Sequence, residues 1–221
     1  MELDHIFIVV DPAAGAEAAL LNEFGLAEGA QNVHPGQGTS NRRFFFRNAF
    51  LELLYVSNME EVQSALTRSI DLDKRLTERG NNVSPFGVCF RPSNALQELE
   101  PISPSRRYNP QYLPKHLTIN VGEAPLSEPM WFYLPFATRP DEASLEKMQP
   151  MLHPVGVNEM SKVRIGIPVE ECYSDCAAKA IASGGIELFF ADEQLIDLEF
   201  DGQAKGKSKD FRPFLPLIIR W

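Results

Sequence analysis

Two stretches, Leu3-Asp4-His5-Ile6-Phe7-Ile8-Val9-Val10 and Ala49-Phe50-Leu51-Glu52-Leu53-Leu54-Tyr55-Val56, are apolar runs with an ionisable side chain near the middle. Both have the length and the β-branched and aromatic content of buried strands. Residues two apart on a strand share a face, so His5 lies with Leu3, Phe7 and Val9, and Glu52 with Phe50, Leu54 and Val56. A charged group among such neighbours must be hydrogen-bonded, paired or metal-bound. Any fold of this chain therefore has to bring partners to both. In the simplest arrangement the two satisfy each other or nearby backbone groups; in a sharper one they face a common cavity and do chemistry there.

Composition narrows the class. A chain of 221 residues with 44% apolar and 23% charged residues has the make-up of a globular protein of one large domain or two small ones. No run of about 18 apolar residues is present, and the start Met-Glu-Leu-Asp-His has no basic segment before an apolar one, so the expectation is a cytoplasmic chain with no membrane partner. A formal charge of -9 argues against nucleic acid as a partner, because phosphate binding needs clustered Lys and Arg. The one dense basic run, Lys205 to Lys209, reads as a solvated loop. Cys89, Cys172 and Cys176 have neither zinc nor redox spacing and read as buried reduced thiols.

Along the chain, Asp11-Pro12 reads as a helix start and Gly25 as its stop, with Ala16, Leu20 and Phe24 at helical spacing. Residues 33–41 form a turn-rich loop, and Arg42 to Arg47 a strand before the Glu52 strand. Residues 1–57 thus make a first βαβββ module, and 58–82 a helical linker. Residues 83–137 repeat the order, with strands at 85–91, 116–121 and 130–134, a short helix at 94–99, and a Pro-rich irregular excursion through Pro101, Pro104, Pro110 and Pro114. A linker, 138–160, leads to a third βαβββ-like unit, 161–221. The fold class expected is α+β, with repeated βαβββ modules forming open, curled mixed sheets around a concave pocket.

Further site candidates follow from this layout. The turn-rich loop offers His34, Asn41 and backbone N–H groups, and Arg42, Arg43 and Arg91 are suited to an anionic oxygen. Tyr108 and Tyr112, with Arg106 and Arg107, lie on the excursion and close over a ligand. Ion pairing with the 30 acidic residues is the competing reading for Arg42, Arg106 and Arg107. His116, Thr118 and Asn120 form the polar face of their expected strand.

The opening Leu3-Asp4-His5-Ile6, the stretch His34 to Asn41, Phe50 to Val56, and Ser84-Pro85-Phe86-Gly87-Val88 together resemble the glyoxalase-like group of the vicinal oxygen chelate superfamily. That resemblance implies βαβββ modules curled around a divalent metal such as Fe, Mn, Zn or Ni, with His5 and Glu52 as the first module's ligands. It also implies Glu52 as a catalytic base if it leaves the metal, homodimer formation, and lyase, isomerase or dioxygenase chemistry. The strands at 86–91 and 130–134 offer no second pair of His, Asp or Glu, whereas a catalytic centre needs at least three protein ligands. Two readings stand: a metal-dependent enzyme acting on a small oxygen-bearing molecule, and a metal-free protein that binds such a molecule through His34, Asn41, Arg91, His116 and Tyr112. In either, His5 and Glu52 point into the concave side within about 6 Å of each other.

Overall fold

The computed structural model describes residues 1–11, 14–93, 102–168 and 173–221. Pro12, the helix expected at 94–99, and Cys172 lie outside the described residues. The first module forms β1 (Glu2–Val9), α1 (Gly15–Phe24), β2 (Asn32–His34), β3 (Thr39–Phe45) and β4 (Phe50–Val56). The linker is α2 (Met59–Val62), α3 (Ala65–Arg68) and α4 (Leu72–Thr77), and the second module holds β5 (Phe86–Arg91), β6 (Ser105–Tyr108), β7 (Ile119–Gly122) and β8 (Met130–Tyr133). The C-terminal unit is β9 (Met160–Ile167), α5 (Asp175–Ala182), β10 (Ile186–Phe190), β11 (Leu195–Phe200), β12 (Ser208–Asp210) and β13 (Leu217–Arg220).

Local chemistry explains where these elements depart from the sequence expectation. The turn-rich loop is a hairpin: β2 and β3 pair across a turn in which Gly36 and Gly38 both have positive φ, and any Cβ on Gly38 would collide with the Asn58 carbonyl. The linker is not one helix, because Asn58 and Ser64 each cap a new short one through backbone N–H groups, and Asp71 is left-handed before the third. The Pro-rich excursion contains β6, a short strand at the sheet edge, where prolines flanking a strand are tolerated.

Strand order shows how the modules combine. One eight-stranded sheet runs β2-β3-β4-β1-β5-β8-β7-β6. In each half the first strand pairs in parallel with the last, β1 with β4 and β5 with β8, and the halves join where β1 and β5 run antiparallel. The C-terminal unit opens with the same strand-helix-strand order but has one strand more and a different pairing: its sheet runs β10-β9-β11-β13-β12, with β10 parallel to β9 directly after the connecting helix. There, Arg164 and Arg220 flank the buried Asp197 at 3.4 and 2.9 Å.

The eight-stranded sheet is buried on both faces. Ile6, Ile8, Leu51, Leu53, Phe86 and Val88 point to the convex side, where α1, α5 and the C-terminal sheet cover them with Leu21, Ala177, Ile165, Leu198 and Leu217. Phe7, Val9, Leu54, Met130 and Phe132 point to the concave side, roofed in part by Leu72 and Leu76 of α4. Two-sided burial is why β1 and β4 read as unbroken apolar runs.

Polar clamps tie the layers. Glu128, buried before β8, accepts hydrogen bonds from Trp131 Nε1 (3.0 Å), Ser174 N (2.7 Å) and Ser174 Oγ (2.6 Å), and Ser174 in turn caps α5. Asn48 exchanges two bonds with the backbone of Met160, at 2.8 and 2.9 Å. His153 Nδ1 accepts from Ala27 N (2.9 Å), so Nε2 carries the ring hydrogen and donates it to Phe45 O (2.8 Å).

Glu128→Gln turns an N–H donor toward Trp131 Nε1 or Ser174 N, which can only donate, and it should lower stability in urea unfolding by roughly 2 kcal/mol. A loss below about 0.5 kcal/mol would show that this carboxylate does not hold α5 to the sheet. His153 yields a pH prediction. Burial holds its pKa below the ordinary histidine value, so the unfolded chain takes up the proton more readily than the folded one. Its contribution is therefore complete above about pH 6.5 and is lost as the pH falls toward the lower folded value. Between pH 7.5 and 5.5 the wild-type chain should lose more stability than His153→Gln, which keeps a donor and an acceptor but does not titrate; equal losses would refute this.

Candidate functional site

The concave face holds a cavity of about 190 Å³. For comparison, an engineered apolar cavity of about 150 Å³ takes up benzene, so the space suits a molecule of about one ring. Its walls are Phe7, Phe50, Leu54, Ile70, Leu72, Ile119, Val121, Met130 and Phe132, and its polar lining is His5, Asn32, His34, Gln37, Asn41, Arg43, Glu52, Tyr108 and Tyr112. Gly87, opposite Phe7 in the β1–β5 pairing, is needed because a Cβ there would collide with the Phe7 ring that forms the floor.

The parallel pairing of β1 with β4 sets Phe50 opposite His5 and Glu52 opposite Phe7, so His5 and Glu52 share the concave face one step apart. His5 Nε2 lies 3.6 Å from Glu52 Oε2. The imidazole is stacked on Phe50 (centroids 4.3 Å apart) and meets Phe132 edge-on (5.4 Å). Its other nitrogen, Nδ1, donates to Asp4 Oδ2 at 2.7 Å. Asp4 reaches its neighbour's ring where the β1–β5 register shifts between Leu3 and His5, and its second oxygen accepts from Arg91 Nη1 at 3.3 Å. Glu52 is fixed in the same way: Oε1 accepts from Asn41 Nδ2 (2.6 Å), and Asn41 Oδ1 accepts from Asn32 N (2.8 Å). Each reactive side chain is thus oriented by a second residue that is itself held.

Across the cavity, the tip of the β2–β3 hairpin meets the segment after β6. His34 Nδ1 is 2.9 Å from Thr39 Oγ1, Gln37 Nε2 donates to the same hydroxyl at 2.8 Å, and the hydroxyls of Tyr108 and Tyr112 donate to Gln37 Oε1 at 2.8 and 3.4 Å. Tyr112 also packs on the His34 ring, centroids 4.7 Å apart. Burial lowers the pKa of His34, an effect Glu52 partly offsets, and raises those of both tyrosines.

The candidates from sequence separate into two groups. His5, His34, Asn41, Glu52 and Tyr112 line the cavity. Arg91 does not: it is buried at the end of β5, bonded to Glu2, Asp4 and Asn48, and acts on the cavity only through Asp4. His116 does not either. It is exposed in a turn before β7 begins, beside Thr118 and Asn120 in a shallow depression on the opposite face, because Ile119 and Val121 take the cavity side. Arg42 forms an ion pair with Glu28, while Arg43 lines the cavity. Asp4 and Gln37 carried no signal of their own in the sequence; the adjacency of Asp4 to His5 is the one pointer that was available.

A divalent metal would need three donors from this set. Among the described residues, Asp4, His5 and Cys89 form the one group of three His, Cys, Asp or Glu donors within 4.8 Å of one another. Both Asp4 oxygens are committed to His5 and Arg91, and burial, reinforced by the charges of Asp4 and Glu52, pushes the Cys89 thiol well up. On the second module the concave positions of β5 and β8 are Gly87, Cys89, Met130 and Phe132. His5 and Glu52 are two donors without a third, and these residues do not fit a three-ligand catalytic metal.

A family model described as a glyoxalase-like domain matches residues 3–171, the whole eight-stranded sheet and the first strand of the next. A crystal structure of a hypothetical protein from Staphylococcus aureus is 11% identical, with a TM-score of 0.50 over 99% of this chain and 97% of that one, a likeness of fold. No curated protein matches the chain. With the two four-stranded halves, their antiparallel junction and the concave His5–Glu52 site in view, the match over most of its length places this chain in the glyoxalase-like domain family.

Proposed function

We propose that the chain binds a small molecule with an apolar body and an oxygen-bearing head in the concave cavity, and that His5 and Glu52 move a proton at that head without a resident metal. The observation that carries this reading is the 3.6 Å approach of His5 Nε2 and Glu52 Oε2 inside an apolar cavity, each held from behind. A carboxylate and an Nδ1–H imidazole side by side supply two proton acceptors: Glu52 takes a proton from a carbon beside the head and returns it to a neighbouring atom, while His5 Nε2 accepts from a hydroxyl of the head. Asp4 holds the hydrogen of His5 on Nδ1, which turns Nε2 toward the ligand. Asn41 leaves Glu52 Oε2 as the oxygen that meets the substrate. Isomerase or lyase chemistry beside a carbonyl group is the reaction class this pair serves.

A panel of small aromatic and aliphatic carbonyl compounds, screened in chelator-treated buffer, should include members that raise the melting temperature with no metal added. After incubation with Fe, Mn, Zn or Ni and dialysis, the chain should retain less than about a tenth of an equivalent. One equivalent retained, lost in Glu52→Gln and required for ligand stabilisation, would overturn the metal-free reading in favour of a His5–Glu52 metal site. For a compound the panel identifies, exchange of its acidic C–H with deuterated solvent should fall by about 100-fold or more in Glu52→Gln while binding persists. Unchanged exchange would remove Glu52 as the base.

A further inference from the structure

We propose that His34 is a fixed Nε2–H hydrogen-bond donor in this cavity and that, together with Arg43, it receives a carboxylate on the bound molecule. The inference rests on the reading of the cavity as a ligand site and names the chemistry of the ligand's head. It comes from counting hydrogens along the chain Tyr108 and Tyr112, Gln37, Thr39, His34. An amide can be placed either way round, so two polarities are conceivable.

With the Gln37 carbonyl toward the tyrosines, both phenol hydrogens have an acceptor, the amide nitrogen donates to Thr39 Oγ1, and the Thr39 hydrogen is left for His34 Nδ1. The ring hydrogen of a neutral His34 then sits on Nε2. With the amide reversed, the Gln37 nitrogen donates to both tyrosines, whose own hydrogens lose their acceptor in a buried site. Burial keeps both phenols protonated, so those hydrogens are present and need partners. The first polarity satisfies them. It leaves Nε2–H, which has no protein partner among the described residues, to donate into the cavity that His34 lines. Burial also holds the ring neutral, with Glu52, Arg43 and His5 the charged or titratable groups acting on it and Tyr112 packed on its face.

Arg43 supplies the charge. It projects from β3 opposite Glu52, its Nε donates to Ala30 O at 2.9 Å, and its guanidinium lies over the Phe45 ring at 5.1 Å. Among the described residues no carboxylate comes within ion-pair distance of it; burial penalises its charge, and the more distant Glu52 offsets part of that. A part-buried cation with no direct ion-pair partner, beside a neutral N–H donor, recognises a planar acceptor with a negative charge. A carboxylate is the smallest group of that kind. A neutral amide of the same shape brings an N–H pair to face these donors and is disfavoured.

The test has two arms on the full chain. Long-range ¹H–¹⁵N correlation on histidine-labelled protein at pH 7.5, with His34 assigned by its loss in His34→Gln, should show a single Nε2–H tautomer. Gln37→Leu, or Thr39→Val should that variant not fold, should give a mixture. An Nδ1–H tautomer or an imidazolium in the wild-type chain would overturn the donor assignment. In the second arm, phenylacetate, phenylacetamide and ethylbenzene are titrated in parallel. Phenylacetate should bind at least about tenfold more tightly than the amide, and Arg43→Gln should erase that preference. Ethylbenzene binding without a preference for phenylacetate overturns the carboxylate assignment while the cavity reading stands. Binding of none of the three overturns both.

Discussion

The antiparallel junction of β1 and β5 is the contact on which the rest of the structure depends. It fuses two four-stranded halves into one curled sheet and sets His5 opposite Cys89 and Phe7 opposite Gly87 at its centre. Once the halves are joined, the convex face is covered by helices and by the C-terminal sheet. The concave face is what remains for a ligand, and its middle is formed by the two strands that carry His5 and Glu52.

Polar groups on a face of that kind survive only when their remaining donors and acceptors are met. The three polar side chains that matter most each have a backing chain: Arg91 to Asp4 to His5, Asn32 to Asn41 to Glu52, and the two tyrosines through Gln37 and Thr39 to His34. The backing leaves one atom of each, His5 Nε2, Glu52 Oε2 and His34 Nε2, facing the cavity. Because the second module contributes Gly87, Cys89, Met130 and Phe132 at the matching positions, the polarity of the site is one-sided. In the proposed reading the head of a ligand lies toward β1 to β4 and its body against β5, β7 and β8.

Much of this fold was legible in the sequence, because a strand buried on one or both faces leaves a pattern of period two or an unbroken apolar run. The runs at 3–10 and 49–56 correspond closely to β1 and β4. Pairing is less legible, since it depends on contacts between distant residues: the C-terminal unit starts strand, helix, strand like the first, yet β9 lies between β10 and β11. The broken linker had a readable cause in Asn58 and Ser64, whose capping bonds end one helix and begin another. For the site, alternation placed His5 and Glu52 on one face. It could not see Asp4, which reaches the ring only through a local register shift, nor could it tell that Arg91 is bonded to Asp4, Glu2 and Asn48 and does not line the cavity. His116 misled because its alternation with Thr118 and Asn120 is real but belongs to the outer face.

The central claim is that the concave face encloses an apolar cavity onto which His5 and Glu52 open together. A crystal structure of the chain pressurised with xenon tests this without knowledge of the ligand, since xenon settles in dry apolar space large enough for it. The account predicts a xenon atom among Phe7, Leu54, Ile119 and Phe132, with His5 and Glu52 side by side at its edge. A concave face collapsed or filled by side chains so that no xenon enters, or His5 and Glu52 turned to opposite faces of the sheet, would contradict it.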